Sequence, residues 1–262
     1  MRQTPGRLVG VGVGPGDPEL VTTKALRVIA QSDRVVAPTT SFDSVGRAEA
    51  IVRQVNPGVR IERLVFDMTR PPGGADRTAH PVGGADSTAR PEGAAGTSHR
   101  QAALSLLAWL DAGEQVAFVT LGDPNMYSTF SFLAASVIDH RPSVEIVTVP
   151  GIMAFQALAA QAGTVLLDGT DVLTLVTALD GPGDLEAVLS QGDDAVVVYK
   201  GGRHLPEVAA ALARSGRLDG AILGELLGLP GERICPVAHV ADEPASYLAT
   251  VIVPPTRRQA NQ

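Results

Sequence analysis

The 262-residue sequence predicts an α/β fold divided between two domains. Three observations carry this reading. Short runs rich in Val, Ile and Leu alternate with helix-patterned stretches along the whole chain, as layered strands and helices require. Roughly ten such strands exceed one doubly wound sheet of ordinary size. Pro150-Gly151 breaks the chain near its middle, which sets a first domain over 1–150 and a second over 151–255.

The first strand is Arg7 to Gly14, where glycines alternating with Val and Leu let neighbouring backbone come close. Pro15-Gly-Asp-Pro18 ends it. A helix is expected from Glu19 to Gln31, spaced by Leu20, Lys24, Leu26 and Ile29 and N-capped by Asp17. A buried strand at Arg34 to Ala37, a helix at Ser44 to Val55 and a strand at Arg60 to Val65 follow. Residues 70–97 differ: Gly73-Gly-Ala-Asp-Arg-Thr-Ala-His-Pro-Val82 is nearly repeated as Gly83-Gly-Ala-Asp-Ser-Thr-Ala-Arg-Pro-Glu92. Almost without large apolar side chains, the segment reads as a flexible insertion. A lid over a site is the other reading, against which the tandem repeat speaks.

Order resumes with a helix at His99 to Ala112, a strand at Gln115 to Leu121 ended by Gly122-Asp-Pro124, and a helix at Met126 to Asp139. The strand Val144 to Val149 stops at Pro150-Gly151, and a helix runs on to Ala162. Further strands are expected at Val172–Thr177, Ala195–Lys200, Ala221–Leu223, Arg233–Val237 and Tyr247–Val253, with helices at Gly183–Gln191 and Leu205–Ser215.

Composition narrows the function classes. Lys and Arg total 21 against 28 Asp and Glu, a net charge of −7, which speaks against a nucleic-acid-coating protein. The single Cys235 excludes an intramolecular disulfide and a multi-cysteine zinc site. No apolar run reaches the ~18 residues of a membrane span, and the N-terminus lacks a secretory pattern, so a cytoplasmic protein without a membrane partner is expected. Five scattered histidines offer no metal spacing, so no metal is expected.

The opening glycines fail the dinucleotide fingerprint in every register: Pro15 or Asp17 falls where its last Gly or Ala belongs. Asp33 mimics the ribose-binding acid in spacing, but a helix-ending Ser32-Asp33 explains it. P-loop, His-Glu-x-x-His and Gly-x-Ser-x-Gly motifs are missing. What remains is three strand-ending turns: Gly14-Pro-Gly-Asp17, Gly122-Asp-Pro124 and Pro150-Gly151. Ligands of α/β sheets sit outside the carboxyl ends of strands, and glycine there admits a ligand to the backbone.

Gly12-Val-Gly-Pro-Gly-Asp-Pro-Glu-Leu20 resembles the signature of the tetrapyrrole methylases, which methylate with S-adenosylmethionine. The likeness continues through Val116-Ala-Phe-Val-Thr-Leu-Gly-Asp-Pro124, Val149-Pro-Gly-Ile152, Val198-Tyr-Lys-Gly201 and Gly224-Glu-Leu-Leu-Gly-Leu-Pro-Gly-Glu-Arg233. Gly122-Asp-Pro-Asn-Met-Tyr-Ser-Thr-Phe130, Pro150-Gly-Ile-Met-Ala-Phe-Gln156 and Lys200-Gly-Gly-Arg-His-Leu205 are similar to the branch that methylates precorrin-2 at C20, with Ala154 for serine and His204 for asparagine. The resemblance implies two α/β domains with a cleft between them, a folded S-adenosylmethionine, a homodimer and precorrin-2 as substrate.

It also implies that Pro15, Leu121, Gly122, Asp123, Met126, Ser128, Thr129, Met153, Ala154, Tyr199, Lys200 and Ile222 contact the methyl donor. Asp123 either holds a polar part of the donor or fixes a turn; Tyr199, Met126 and Met153 are either contacts or core. Asp17 either assists proton removal from the substrate or caps a helix. Precorrin-2 carries many carboxylates, so cleft bases are required of an acidic protein, and Arg34, Lys200, Arg203 and His204 are the candidates to bind substrate, each otherwise a solvated surface charge. Lys24 and Arg27 lie on a solvated helix face.

Overall fold

The computed structural model describes residues 6–66 and 94–256. Most of the segment expected to be an insertion, including both near-repeats, lies outside the described residues. The chain divides into two compact units: Met1–Gly14 with Pro18–Ile152, and the short loop Pro15–Asp17 with Met153–Gln262.

Among its described residues the first unit holds five strands, β1 (Arg7–Gly12), β2 (Arg34–Thr39), β3 (Ile61–Val65), β4 (Gln115–Thr120) and β5 (Glu145–Val149), and four helices, α1 (Thr23–Gln31), α2 (Arg47–Val55), α3 (Ala94–Asp111) and α4 (Phe130–His140). The strands form one parallel sheet in the order β3-β2-β4-β1-β5. Side chains alternate between its faces. Val9, Val11, Val35, Ala117 and Val119 join Ala25, Ile29, Ile51 and Val52 of α1 and α2 on one face. Leu8, Val36 and Phe118 join Leu106, Leu110, Phe130 and Leu133 of α3 and α4 on the other. Gly10 has no side chain because the Phe130 ring occupies the space where its Cβ would stand.

Several boundaries differ from the sequence reading, three of them at the starts of helices in this unit by four or five residues. Helix α1 begins at Thr23, capped by Thr22, whose Oγ1 accepts the Ala25 N–H at 3.1 Å; Pro18–Leu20 is a separate 3-10 turn, so Asp17 is not the cap. Helix α4 begins at Phe130, not Met126, because Gly122 and Tyr127 take left-handed backbone and the chain between them cannot coil as an α-helix. Helix α3 begins at Ala94 rather than His99, in keeping with the high helix propensity of Ala94 and Ala95.

The second unit has a mixed sheet of β6 (Leu173–Thr177), β7 (Ala195–Tyr199), β8 (Ile222–Glu225), β9 (Arg233–Pro236) and β10 (Thr250–Val253), in the order β6-β7-β10-β8-β9. Only β6 and β7 are parallel; the last strand enters antiparallel between β7 and β8. Its helices are α5 (Ala154–Gln161), α6 (Gly183–Leu189) and α7 (Leu205–Arg214). Val196, Val198, Val251 and Val253 face Leu185, Val208 and Leu212 of α6 and α7. Val197, Tyr199 and Ile252 face Leu158 of α5.

Candidate functional site

At the carboxyl edge of the first sheet, three chain crossings meet with their backbones in direct contact. The Gly122 N–H donates to the Gly14 carbonyl at 2.8 Å, and the Val13 N–H to Thr120 O at 2.9 Å. A Cβ on Gly12 would overlap both the Gly122 carbonyl oxygen and the Gly151 nitrogen; one on Gly151 would overlap the same Gly122 oxygen. Gly122 itself has φ +61° and open space where a Cβ would stand. The edge is thus closed behind Gly122 and open in front of it, which fits a ligand approaching backbone.

Asp123 ties this edge together. It is 9% exposed; its Oδ1 accepts the Asn125 N–H at 2.8 Å and its Oδ2 accepts the Gly151 N–H at 3.1 Å. Of the two readings offered for it, the turn-fixing one describes the contacts seen: the carboxylate clamps the β4 and β5 crossings. Ser128 is similarly engaged, its hydroxyl bonded to Thr120 Oγ1 at 2.9 Å and accepting the Phe130 N–H at 3.1 Å at the start of α4. Thr129 immediately precedes that helix, Leu121 packs partly into the core, and Met126 is exposed.

In the second unit, Met153, Ala154, Tyr199 and Ile222 share one face of the sheet, around Leu158, Leu227 and Ile252. The buried Tyr199 is both core and a polar handle. Its Oη accepts the Phe155 N–H at 3.3 Å, satisfying one of the free amides in the first turn of α5. Gln156 Oε1 accepts the Met153 N–H at 2.9 Å. Lys200, the next residue after β7, has φ +58°, and burial pushes its ammonium pKa down. The left-handed non-glycine residues among those described are Tyr127, Lys200 and Leu226, each in a loop that follows a strand (β4, β7 and β8). Backbone strain of this kind gathers at binding sites.

The loop Pro15–Asp17 packs against Leu227 and Gly228: a Cβ on Gly16 would overlap Leu227 O, and one on Gly228 would overlap the Asp17 nitrogen. Pro15 and Asp17 are both partly exposed there. Arg203 is exposed, its guanidinium 5.9 Å from the Tyr247 ring centroid. His204 Nδ1 stands 3.7 Å from Glu207 Oε1.

Arg34 is a correction. It stands at the start of β2, on the amino edge of the sheet and opposite the glycine crossings, paired with Glu114 at 2.8 Å and Glu62 at 3.1 Å. Those two carboxylates raise its pKa, and its guanidinium lies 5.0 Å from the Trp109 ring centroid. These partners account for its position, so it leaves the substrate candidates. Two groups went unnoticed in the sequence. Tyr247 lies before β10 rather than within it, and Thr250, 1% exposed, carries a hydroxyl with no partner among the described residues. Neither has a motif; only the antiparallel insertion of β10 beside β7 brings them next to Tyr199 and its loop. Among the described residues no His, Cys, Asp or Glu cluster is suited to a metal, and no helix is long and apolar enough to cross a membrane.

Residues 7–241 match the family model of the Tetrapyrrole (Corrin/Porphyrin) Methylases. The chain is 36% identical over 97% of its length to the cobalamin biosynthesis protein CobIJ of Mycobacterium bovis, of which it spans 47%, so it covers about half of that relative. It is 32% identical to a precorrin-2 C(20)-methyltransferase of Sinorhizobium sp, over 95% of each chain. It is 29% identical to the cobalt-precorrin-2 C(20)-methyltransferase of Salmonella typhimurium, over 95% of this chain and 96% of that one. Among solved structures, a cobalamin-synthesis-related protein (CobF) from Corynebacterium diphtheriae matches with TM-score 0.69 at 18% identity, over 97% of this chain and all of that one, a likeness of fold. With the family model covering most of its length and the glycine crossings formed at the carboxyl edge of its first sheet, this chain belongs to the tetrapyrrole methylase family.

Proposed function

We propose that this chain transfers a methyl group from S-adenosylmethionine to C20 of precorrin-2, giving precorrin-3A in cobalamin biosynthesis. The observation that carries a methyl-donor site is the edge at Gly122, where two neighbouring glycines are filled by backbone and the third faces open space. The near full-length likeness to a precorrin-2 C(20)-methyltransferase narrows the substrate.

The bound donor supplies an electrophilic methyl, so the chain's task is placement rather than nucleophilic attack. The turn at Leu121, Gly122 and Asp123 presents backbone polar groups to the donor, with Asp123 holding that turn in shape. Met126, Ser128 and Thr129 border the turn. Met153 and Ala154, at the start of α5, and Ile222 would offer apolar surface to the donor, and Tyr199 keeps that helix start in place. Pro15 and Lys200 complete the donor contacts. Arg203 and His204 face the substrate carboxylates. Asp17 is the candidate to accept the proton that C20 releases once the new C–C bond has formed. The protein works as a cytoplasmic homodimer.

A cobalt-loaded substrate is the second reading, favoured by the Salmonella relative at similar coverage. The test is incubation with enzymatically made precorrin-2, or its cobalt complex, and donor carrying a carbon-13 methyl. Label at C20 is expected. Label at another carbon reassigns the reaction, and absence of label with both substrates refutes it.

A further inference from the structure

The loop after β7 and the chain entering β10 are locked side by side. Thr250 is in register with Tyr199, and the Ala245 N–H donates to Gly202 O at 2.7 Å. A Cβ on Gly202 would overlap the Ser246 carbonyl oxygen, so the two segments meet with no room for a side chain. This lock holds the exposed Arg203 guanidinium over the half-buried Tyr247 ring. Arg203 has no ion pair among the described residues, as is also true of Arg27, Arg47, Arg60 and Arg217; its guanidinium lies instead over the Tyr247 ring. Glu207, the acid nearest in the chain, faces His204. Glu225, which accepts the Ser246 N–H beside Tyr247, is bound by Arg233.

A guanidinium resting on an aromatic face keeps its N–H groups free at the rim and loses little freedom when it binds. Its planar fork matches a carboxylate, and a bidentate pair is among the stronger hydrogen-bonded contacts. We propose that Arg203, seated on Tyr247, anchors one side-chain carboxylate of the tetrapyrrole, and that Tyr247 is a positioning residue that fixes the guanidinium. The inference rests on the tetrapyrrole reading above. To the Arg203 contact proposed there it adds a single bidentate carboxylate as the recognised group and Tyr247, a residue outside the motifs, as the platform that sets the guanidinium.

The test uses the full chain and sirohydrochlorin, the stable oxidised relative of precorrin-2, followed by fluorescence, with its neutral octamethyl ester as control and S-adenosylhomocysteine binding measured by calorimetry. Arg203→Met should weaken sirohydrochlorin binding about tenfold, the scale of one charged hydrogen-bonded contact, and flatten its salt dependence. Binding of the ester and of S-adenosylhomocysteine should stay within about twofold, the scatter of distant surface changes. Tyr247→Leu should weaken sirohydrochlorin about threefold, within the measured range for cation–π contacts, and Tyr247→Phe should restore it. Unchanged sirohydrochlorin affinity in Arg203→Met overturns the anchor. Equal losses for both ligands in Tyr247→Leu overturn the positioning role in favour of a structural one. A wild-type chain that binds no S-adenosylhomocysteine refutes the methyltransferase reading itself.

Discussion

The two edges of the first sheet are built from opposite materials. The amino edge is held by long charged side chains: Arg7 with Glu145 at 2.7 Å, and Arg34 with Glu62 and Glu114. The carboxyl edge is held by backbone, with Gly12, Gly122 and Gly151 in mutual contact and one buried carboxylate, Asp123, as a clamp. Exposed ion pairs tolerate change because water and salt compete with them. A junction of three backbones does not, because a single methylene has nowhere to go. The contrast separates an edge held by side-chain charge from the edge proposed above to receive the methyl donor.

The largest expected effect breaks the carboxyl edge. Gly151→Ala places a methyl on the Gly122 carbonyl oxygen and should cost about 3 kcal/mol or more, read as a fall in urea midpoint with loss of donor binding. Gly122→Ala meets no neighbour and costs only its left-handed strain, about 1 kcal/mol. If the two variants proved equally stable, the junction would not be as tight as described.

Next is Glu49 on α2, fully buried and bound by Arg63 at 2.7 Å and Arg53 at 2.8 Å. The hydrogen bond from Arg63 leads the effects that hold its carboxyl below the usual range, against the opposing cost of burial. A lowered pKa stabilises the fold above the unfolded carboxylate's pKa of ~4.3, and that stability is lost as pH falls through the folded value. Glu49→Gln should therefore lower stability at neutral pH and narrow its gap to wild type in acid. A gap independent of pH would contradict the ion-pair account.

Asp123→Asn keeps the shape of the clamp but removes its charge. It should cost about 1–3 kcal/mol, the worth of a charged hydrogen bond, and weaken S-adenosylhomocysteine binding measured by calorimetry. Unchanged donor affinity would detach the clamp from the site. The smallest effect belongs to the amino edge: Arg34→Ala should leave donor and tetrapyrrole binding unchanged and barely move the melting temperature. A tetrapyrrole affinity that fell with Arg34 would return it to the site.

Legibility in the sequence follows the same division between local and long-range causes. The alternation of strand and helix was readable because each element carries its own period, as in Val9 and Val11 against Leu8. The three glycine turns were readable because glycine marks backbone approach before the partner is known. Arg34 was misplaced because a charge before a strand does not say which edge it will occupy; that depends on the direction of β2 and on Glu114, 80 residues away. The start of α4 was misjudged because left-handed backbone at Tyr127 has no residue-level signal in a tyrosine. Tyr247 and Thr250 stayed hidden because the insertion of β10 between β7 and β8 is a property of topology, not of local pattern.

The most direct test is a crystal structure with S-adenosylhomocysteine. The ligand should lie against the backbone of residues 121–123, in front of Gly122. Density for the ligand on the amino edge, beside Arg34 or Arg7, or at any place away from that turn, would contradict it.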